Sequence, residues 1–305
     1  MSASSGDHES LRIARSRAGA RKRTERRLGL LLCAPAAIVM LLVVGYPLLY
    51  AGYLSLFRAD LGTPEANTFV GLRNYVTVLG SPIWWRAFGL TMFVTVVGAA
   101  LEIVLGTLLA VVMHRTIVGR GLVRTAVLMP YAVVSVVAAF SWRFAFTPGV
   151  GWLVGDSAPL SQRWPAIGII VLAEVWKSVP FVALVLMAAL TLVPQELTRA
   201  AAIDGATAWQ RFWQITVPLI KPAIMLVVVF RVLDAFRIFD SVFVLTGGVD
   251  GTASVSLLAY DNLVKGLDLG IGSTMAVLIL ITSAVLALSV LKLVDALLPG
   301  SGRDE

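Results

Sequence analysis

Residues 190–224 read LTLVPQELTRAAAIDGATAWQRFWQITVPLIKPAI. The stretch separates two long apolar runs. It carries Glu196, Arg199, Asp204, Gln210, Arg211 and Gln214, so it is too polar for hydrocarbon and too regular for slack loop. PQELTRAAAID reads as a short helix. Pro194 suits its start, Glu196 complements the positive end of the dipole, and Ala200, Ala201 and Ala202 are strong helix formers. Gly205 then permits a turn that a side chain would hinder. Either Asp204 or Thr207 can cap the helix that follows. There Trp209, Phe212, Trp213 and Thr216 recur at i, i+3, i+4 and i+7, which builds one bulky face. Pro218 ends this helix and Pro222 opens the next apolar run. The segment is therefore predicted as a helix–turn–helix along a membrane surface. Its alanines offer a flat patch for another protein, and its aromatic face anchors it against the spans. An ordinary amphipathic interfacial linker would satisfy the same residues.

The rest of the chain supplies that membrane. Of 305 residues 58% are hydrophobic and only 14% charged, against about 25% charged in an average soluble domain. The mean hydropathy is +0.87. Six runs, at about 28–51, 88–112, 125–146, 166–191, 222–245 and 270–294, are long enough for the roughly 20 residues that span hydrocarbon. They are continuously apolar, not alternating, which excludes a β-barrel. The fold class is all-α: a polytopic membrane protein with six transmembrane helices. Pro47 is expected to kink or end the first, because it lacks a backbone donor.

The formal charge of +7 is concentrated in the basic tail at residues 1–27. The topology rule accounts for it without nucleic acid. Sixteen Lys and Arg fall on the side that holds this tail, the 113–124 loop, the quoted segment and the C-terminal end, and five on the other. The basic side is expected to be cytoplasmic, with both termini there. The opposite connections, about 52–87, 147–165 and 246–269, are too short for a folded domain. The single cysteine, Cys33, excludes a disulfide framework and a cysteine-based metal site.

Charges inside the spans carry the remaining signal. FRVLDAFRIFDSVF places Arg231, Asp234, Arg237 and Asp240 in the fifth run. Each charge at mid-membrane costs about 2.5–3.5 kcal/mol on insertion scales. The alternating signs predict Arg231–Asp234 and Arg237–Asp240 pairs. They form either a hydrated pathway face offering donors and acceptors to a polar ligand or a structural ion-pair stripe. AEVWKSVPF in the fourth run sets Glu174 and Lys177 three apart, a self-satisfying pair, with Trp176 between them. Trp176 either stacks on a ligand or packs against lipid or a partner. Trp142 and Arg143 near the end of the third run are similar candidates. Glu102 has no partner in its own helix and calls for a cation from another span. His114 suits a helix C-terminus. No Ser-His-Asp, HExxH or paired-carboxylate constellation occurs, and no G-x-x-x-x-G-K-[ST] phosphate loop. Neither catalytic residues nor a metal are expected.

RAAAIDGATAWQRFWQITVPLIKP resembles the EAA loop of bacterial ABC importer permeases: E-A-A, two residues, D-G-A, then I-x-L-P. Ala200, Ala201, Asp204, Gly205, Ala206, Ile215 and Pro218 match. Arg199 stands at the glutamate position and Val217 at the leucine. FVGLRNY (69–75), VLMPYAVVSVVAAFSWRFAFTPGVG (127–151) and FRIFDSVFVLTGG (236–248) are similar to the carbohydrate, maltose-type branch. RTAVLMPYAVVSVVAAFSWRFAFTPG and LDAFRIFD resemble the actinobacterial trehalose-importer permeases within it. The resemblance implies a type I importer permease in the bacterial plasma membrane, forming half of a disaccharide pathway. Residues 28–298 are then the permease domain, 194–218 its cytoplasmic coupling loop, and 299–305 a cytoplasmic tail. The implied partners are a second homologous permease, an ATPase dimer and an extracytoplasmic sugar-binding lipoprotein. ATP and Mg belong to the ATPase, so this chain binds no cofactor. Asp234, Arg237, Asp240, Arg231, Trp176, Glu174, Lys177 and Trp142 become pathway candidates. Two other classes compete. In an ion-coupled secondary transporter the intramembrane carboxylates would carry protons or sodium, and paired broken helices with internal symmetry would be its mark. A membrane anchor would have no need of the intramembrane charges.

Overall fold

The structure, a computed structural model, describes residues 31–62, 67–115 and 119–297. The basic tail at 1–27 and the segment 299–305 lie outside the described residues. The chain divides into two units, Met1–Tyr53 and Leu54–Glu305. Helix α1, Leu31–Leu54, supplies the described part of the first and ends at the boundary. Pro47 does not end it. A π turn over Leu41–Gly45 comes just before, and widening there accommodates the donor that proline lacks.

The second unit opens with a two-stranded hairpin, in which β1 (Phe57–Arg58) pairs antiparallel with β2 (Thr68–Phe69). Helix α2 (Arg73–Gly80) follows. Its buried Asn74 ties the helix to the hairpin by donating to the carbonyls of Ser55 at 2.9 Å and Phe57 at 2.8 Å. The bundle then runs through α3 (Pro82–Arg115), α4 (Arg120–Ala132), α5 (Ser135–Ala145) and α6 (Arg163–Thr191). Two short helices come next, α7 (Gln195–Ile203) and α8 (Ala208–Leu219). The last four are α9 (Lys221–Phe236), α10 (Asp240–Leu245), α11 (Val255–Tyr260) and α12 (Leu269–Leu297).

Among the described residues four helices are long and apolar enough to span alone, and two bent pairs bring the number to six. The third predicted span is one of these pairs. Its halves, α4 and α5, meet at 89°. Pro130 lies in the last turn of α4, and Val133 and Val134 turn extended, with ψ of 133° and 134°. A missing donor followed by two β-branched residues weakens the helix there. The other pair joins α8 to the run Lys221–Leu245 at 73°, and within that run the fifth span breaks again. Helix α9 ends at Phe236, and Phe239 at φ −134° and ψ −60° precedes the restart at Asp240.

The core sits between α3 and α6. Ala110 and Met113 pack with Val182, Ala183, Leu186 and, from α9, Val227. A second cluster joins Leu90 and Val94 to Ile167 and Ile170, with Val242 and Leu257. Gly106 sets the α3–α6 approach: a Cβ there would lie 2.5 Å from the Val182 Cγ1 atom. Lipid supplies no hydrophobic drive between helices, so such close packing of small residues holds them together. Gly106→Ala is therefore expected to destabilise the detergent-solubilised protein by about 1–3 kcal/mol. Gly98→Ala, on the same helix with open space at its Cβ position, is expected to leave thermal unfolding unchanged.

Candidate functional site

The surface hairpin is built as its residues dictate. Pro194 stands in extended conformation just before α7, and Glu196 sits in the first turn. At the other end the Gly205 N–H donates to the Ala202 carbonyl at 3.2 Å and the Ala206 N–H to that of Ala201 at 2.9 Å. This is the paired closure of a Schellman motif, and it puts Gly205 at φ +85°, where glycine carries no penalty. Thr207, not Asp204, caps α8. Its hydroxyl accepts from the Gln210 N–H at 3.3 Å, while its own N–H donates to Gln210 Oε1 at 2.8 Å, a complete capping box. Arg211 reaches across the turn to the Thr198 carbonyl at 3.4 Å. Arg199 donates to Gln195 at 3.0 Å. Ala200, Ala202, Ile203, Asp204 and Gly205 are exposed, and Ala201, Ala206, Ile215 and Pro218 half-buried. The predicted aromatic face turns inward only in part: Phe212 and Thr216 are half-buried, and the two tryptophans are exposed. Trp209 is 71% exposed, and its ring lies edge-on to Trp213 at 5.5 Å. A π turn over Phe212–Thr216 interrupts the 3.6-residue period on which a single face depended.

Both helix breaks border one polar cavity of about 450 Å³. Tyr131 and Ser135 flank the α4–α5 break, Glu174 and Lys177 come from α6, and Arg231, Asp234, Arg237 and Asp240 flank the α9–α10 break. The structure thus brings together six of the eight pathway candidates. Behind the cavity, Arg231 donates to Glu102 of α3 through Nε at 2.6 Å and Nη2 at 2.8 Å. Its Nη1 donates to Asp234 at 2.5 Å. The Glu102 and Arg231 side chains are 1% and 3% exposed, and that of Asp234 is 59% exposed. The cation expected for Glu102 is Arg231, and the Arg231–Asp234 pair is present.

Two predicted pairs are absent among the described residues. Arg237 and Asp240 do not pair, because the helix breaks between them and their i, i+3 relation is lost. Glu174 and Lys177 do not pair either. The Ser241 hydroxyl of α10 donates to Glu174, and the Lys177 ammonium donates to the Ser135 hydroxyl of α5, so each has a partner on another helix. Sequence reasoning missed both serines. Single hydroxyls in apolar runs carry no periodic signal, and only long-range contact shows them.

The remaining two candidates line a separate, apolar cavity of about 760 Å³ with Trp152, Phe140 and Phe144. There the Trp142 and Trp176 rings meet edge-on at 5.9 Å. Arg143 donates to the Val244 carbonyl at 2.9 Å and so ties α5 to α10. His114 is exposed.

Broken spans around a charged cavity, with a structured polar hairpin between two spans, define a polytopic transport subunit. Residues 102–300 match the family described as binding-protein-dependent transport system inner membrane component, and the chain belongs to that family. It is 53% identical to the trehalose transport system permease protein SugA of Mycobacterium tuberculosis, over 94% of this chain and 96% of that one. It is 38% identical to the trehalose/maltose transport system permease protein MalF of Thermococcus litoralis, over 84% of this chain and 90% of that one. Its fold matches a chain in the crystal structure of a bacterial alginate ABC transporter in complex with an alginate pentasaccharide-bound periplasmic protein. The TM-score there is 0.76 at 20% identity, over 92% of this chain and 99% of the other. The chain is an ABC importer permease of type I fold.

The buried pair makes a stability prediction. Arg231→Ala leaves Glu102 as an uncompensated buried charge and is expected to cost about 3–5 kcal/mol. Asp234→Asn alters a partner that is mostly solvated and is expected to cost at most about 1 kcal/mol. Thermal unfolding of the two variants in detergent measures the difference.

Proposed function

We propose that the chain forms half of the translocation pathway of an ATP-driven importer of trehalose in the bacterial plasma membrane. The observation that carries the sugar is the 53% identity to a mycobacterial trehalose permease across nearly the whole chain. The polar cavity supports it, because its carboxylates, cations and hydroxyls suit a neutral ligand rich in hydroxyl groups. Both termini and the 194–218 hairpin are cytoplasmic, as the distribution of Lys and Arg supports.

The hairpin is the coupling loop. Ala200, Ala201, Asp204, Gly205, Ala206, Ile215 and Pro218 seat it in a cleft of a separate ATPase dimer, which holds ATP and Mg. Its exposed small residues allow close approach. The Schellman closure and capping box make it stiff enough to pass on a rigid-body movement. Closure of the ATPase then biases the spans between inward- and outward-facing states. Asp234, Arg237, Asp240, Arg231, Glu174 and Lys177 form the polar section of the pathway. Trp142 and Trp176 form an aromatic section suited to the apolar C–H faces of sugar rings. A second homologous permease supplies the other half, and an extracytoplasmic sugar-binding lipoprotein delivers the sugar.

The test is labelled trehalose uptake in cells that lack this chain, complemented with the wild-type gene or with Gly205→Trp. Uptake is expected to vanish on deletion and return with the wild type. The Gly205→Trp protein is expected to insert and assemble, with ATP hydrolysis continuing and uptake lost. Unchanged uptake after deletion would remove trehalose as the substrate. Normal coupled uptake by Gly205→Trp would remove the coupling role of the hairpin.

A further inference from the structure

We propose that Glu102 is a positioning residue for sugar passage, holding the Arg231 guanidinium so that the Asp234 carboxylate stands in the polar cavity as an oriented acceptor for sugar hydroxyls. This rests on the pathway reading above. Glu102 does not line the cavity, and among the described residues it hydrogen-bonds to Arg231 alone.

Three observations point there. The first is geometry. Glu102 takes the Nε and Nη2 edge of the guanidinium at 2.6 and 2.8 Å, which leaves Nη1 for Asp234 at 2.5 Å. A guanidinium is a rigid planar fork, so fixing one edge fixes the direction of the third nitrogen. The second is charge. One cation lies between two carboxylates, so the trio carries a net negative charge. Asp234 is its only exposed member, at 59%. Without Glu102, Arg231 and Asp234 would close into a neutral pair. With it, Asp234 keeps acceptor strength to spare for a ligand. The third is position. Arg231 lies ten residues from the start of α9 and Glu102 thirteen from the end of α3. At 1.5 Å per residue both sit about 15–20 Å from those helix ends, near the middle of the membrane. A pair needed only for packing could be replaced there by apolar side chains without loss. The third, solvated carboxylate is what packing does not need.

The other carboxylates of the cavity are arranged differently. Glu174 accepts from Ser241. Asp240 begins α10 beyond the break and has no cation partner among the described residues. Asp234 is the one held from behind by a buried charge pair.

The test uses the full importer reconstituted in proteoliposomes with its binding protein. Trehalose uptake per ATP hydrolysed is measured for wild type, Glu102→Gln, Glu102→Asp, Asp234→Asn and the double variant Glu102→Gln/Asp234→Asn. Glu102→Gln is expected to keep binding-protein-stimulated ATP hydrolysis within twofold while uptake per ATP falls at least tenfold. A purely structural role would lower both together. Glu102→Asp keeps the charge on a shorter arm and is expected to recover part of the loss. Because Glu102 acts through Asp234, the double variant is expected to lie within twofold of Asp234→Asn alone. Normal uptake per ATP in Glu102→Gln, or a double variant whose loss is the product of the single losses, would overturn the proposal. Should Glu102→Gln not assemble, Glu102→Asp decides. At least a threefold loss of uptake per ATP supports the proposal, and wild-type uptake overturns it. A wild-type importer that carries no trehalose would instead overturn the substrate reading.

Discussion

The contact between Glu102 and Arg231 is the constraint on which the polar cavity depends. Neither charge is tolerable alone at mid-depth, where each costs about 2.5–3.5 kcal/mol. Joined by two short hydrogen bonds, they fix the depth and rotation of α9 against α3. Gly106 fixes α3 against α6 by letting Val182 approach where a side chain would collide. Three helices are thereby locked together, and the groups that line the cavity project from this block or from the breaks that adjoin it.

The breaks would be costly anywhere else. Irregular backbone at membrane depth survives only where protein covers it or where it lines a hydrated cavity. The α9–α10 break meets both conditions. The buried Ser254 hydroxyl donates to the freed Ile238 carbonyl at 2.8 Å, and Arg237 and Asp240 face the cavity. Arg143 performs a similar service from α5, by donating to the Val244 carbonyl in α10. Polar side chains that look out of place in apolar runs here satisfy backbone that the helices have released.

The sequence made some of this legible and hid the rest for physical reasons. The surface hairpin was readable almost residue by residue, because caps, glycine turns and alanine runs are local chemistry. Thr207 caps α8, and Gly205 takes the left-handed turn. Glu102 pointed to a distant cation, since its own helix offers it no partner. The breaks were not legible. Val133 and Val134 are good span residues, and only their extended backbone shows the 89° bend. The pairing of Arg237 with Asp240 failed for the same reason: spacing rules assume an unbroken helix. Glu174 and Lys177 were misread because the serines that hold them, Ser241 and Ser135, lie on other elements. Trp209 and Trp213 fell outside the expected anchor because a π turn shifts the phase of their helix.

A stiff hairpin, a locked three-helix block and a cavity at two helix breaks together suit a pathway that is opened from the ATPase side and not by an ion. The most direct measurement is trehalose uptake into proteoliposomes holding the complete importer, energised either by enclosed ATP or by an imposed proton or sodium gradient. The account predicts uptake with ATP alone, undiminished when the ion gradients are collapsed. Uptake driven by a gradient without ATP would contradict it and would make the cavity carboxylates ion carriers.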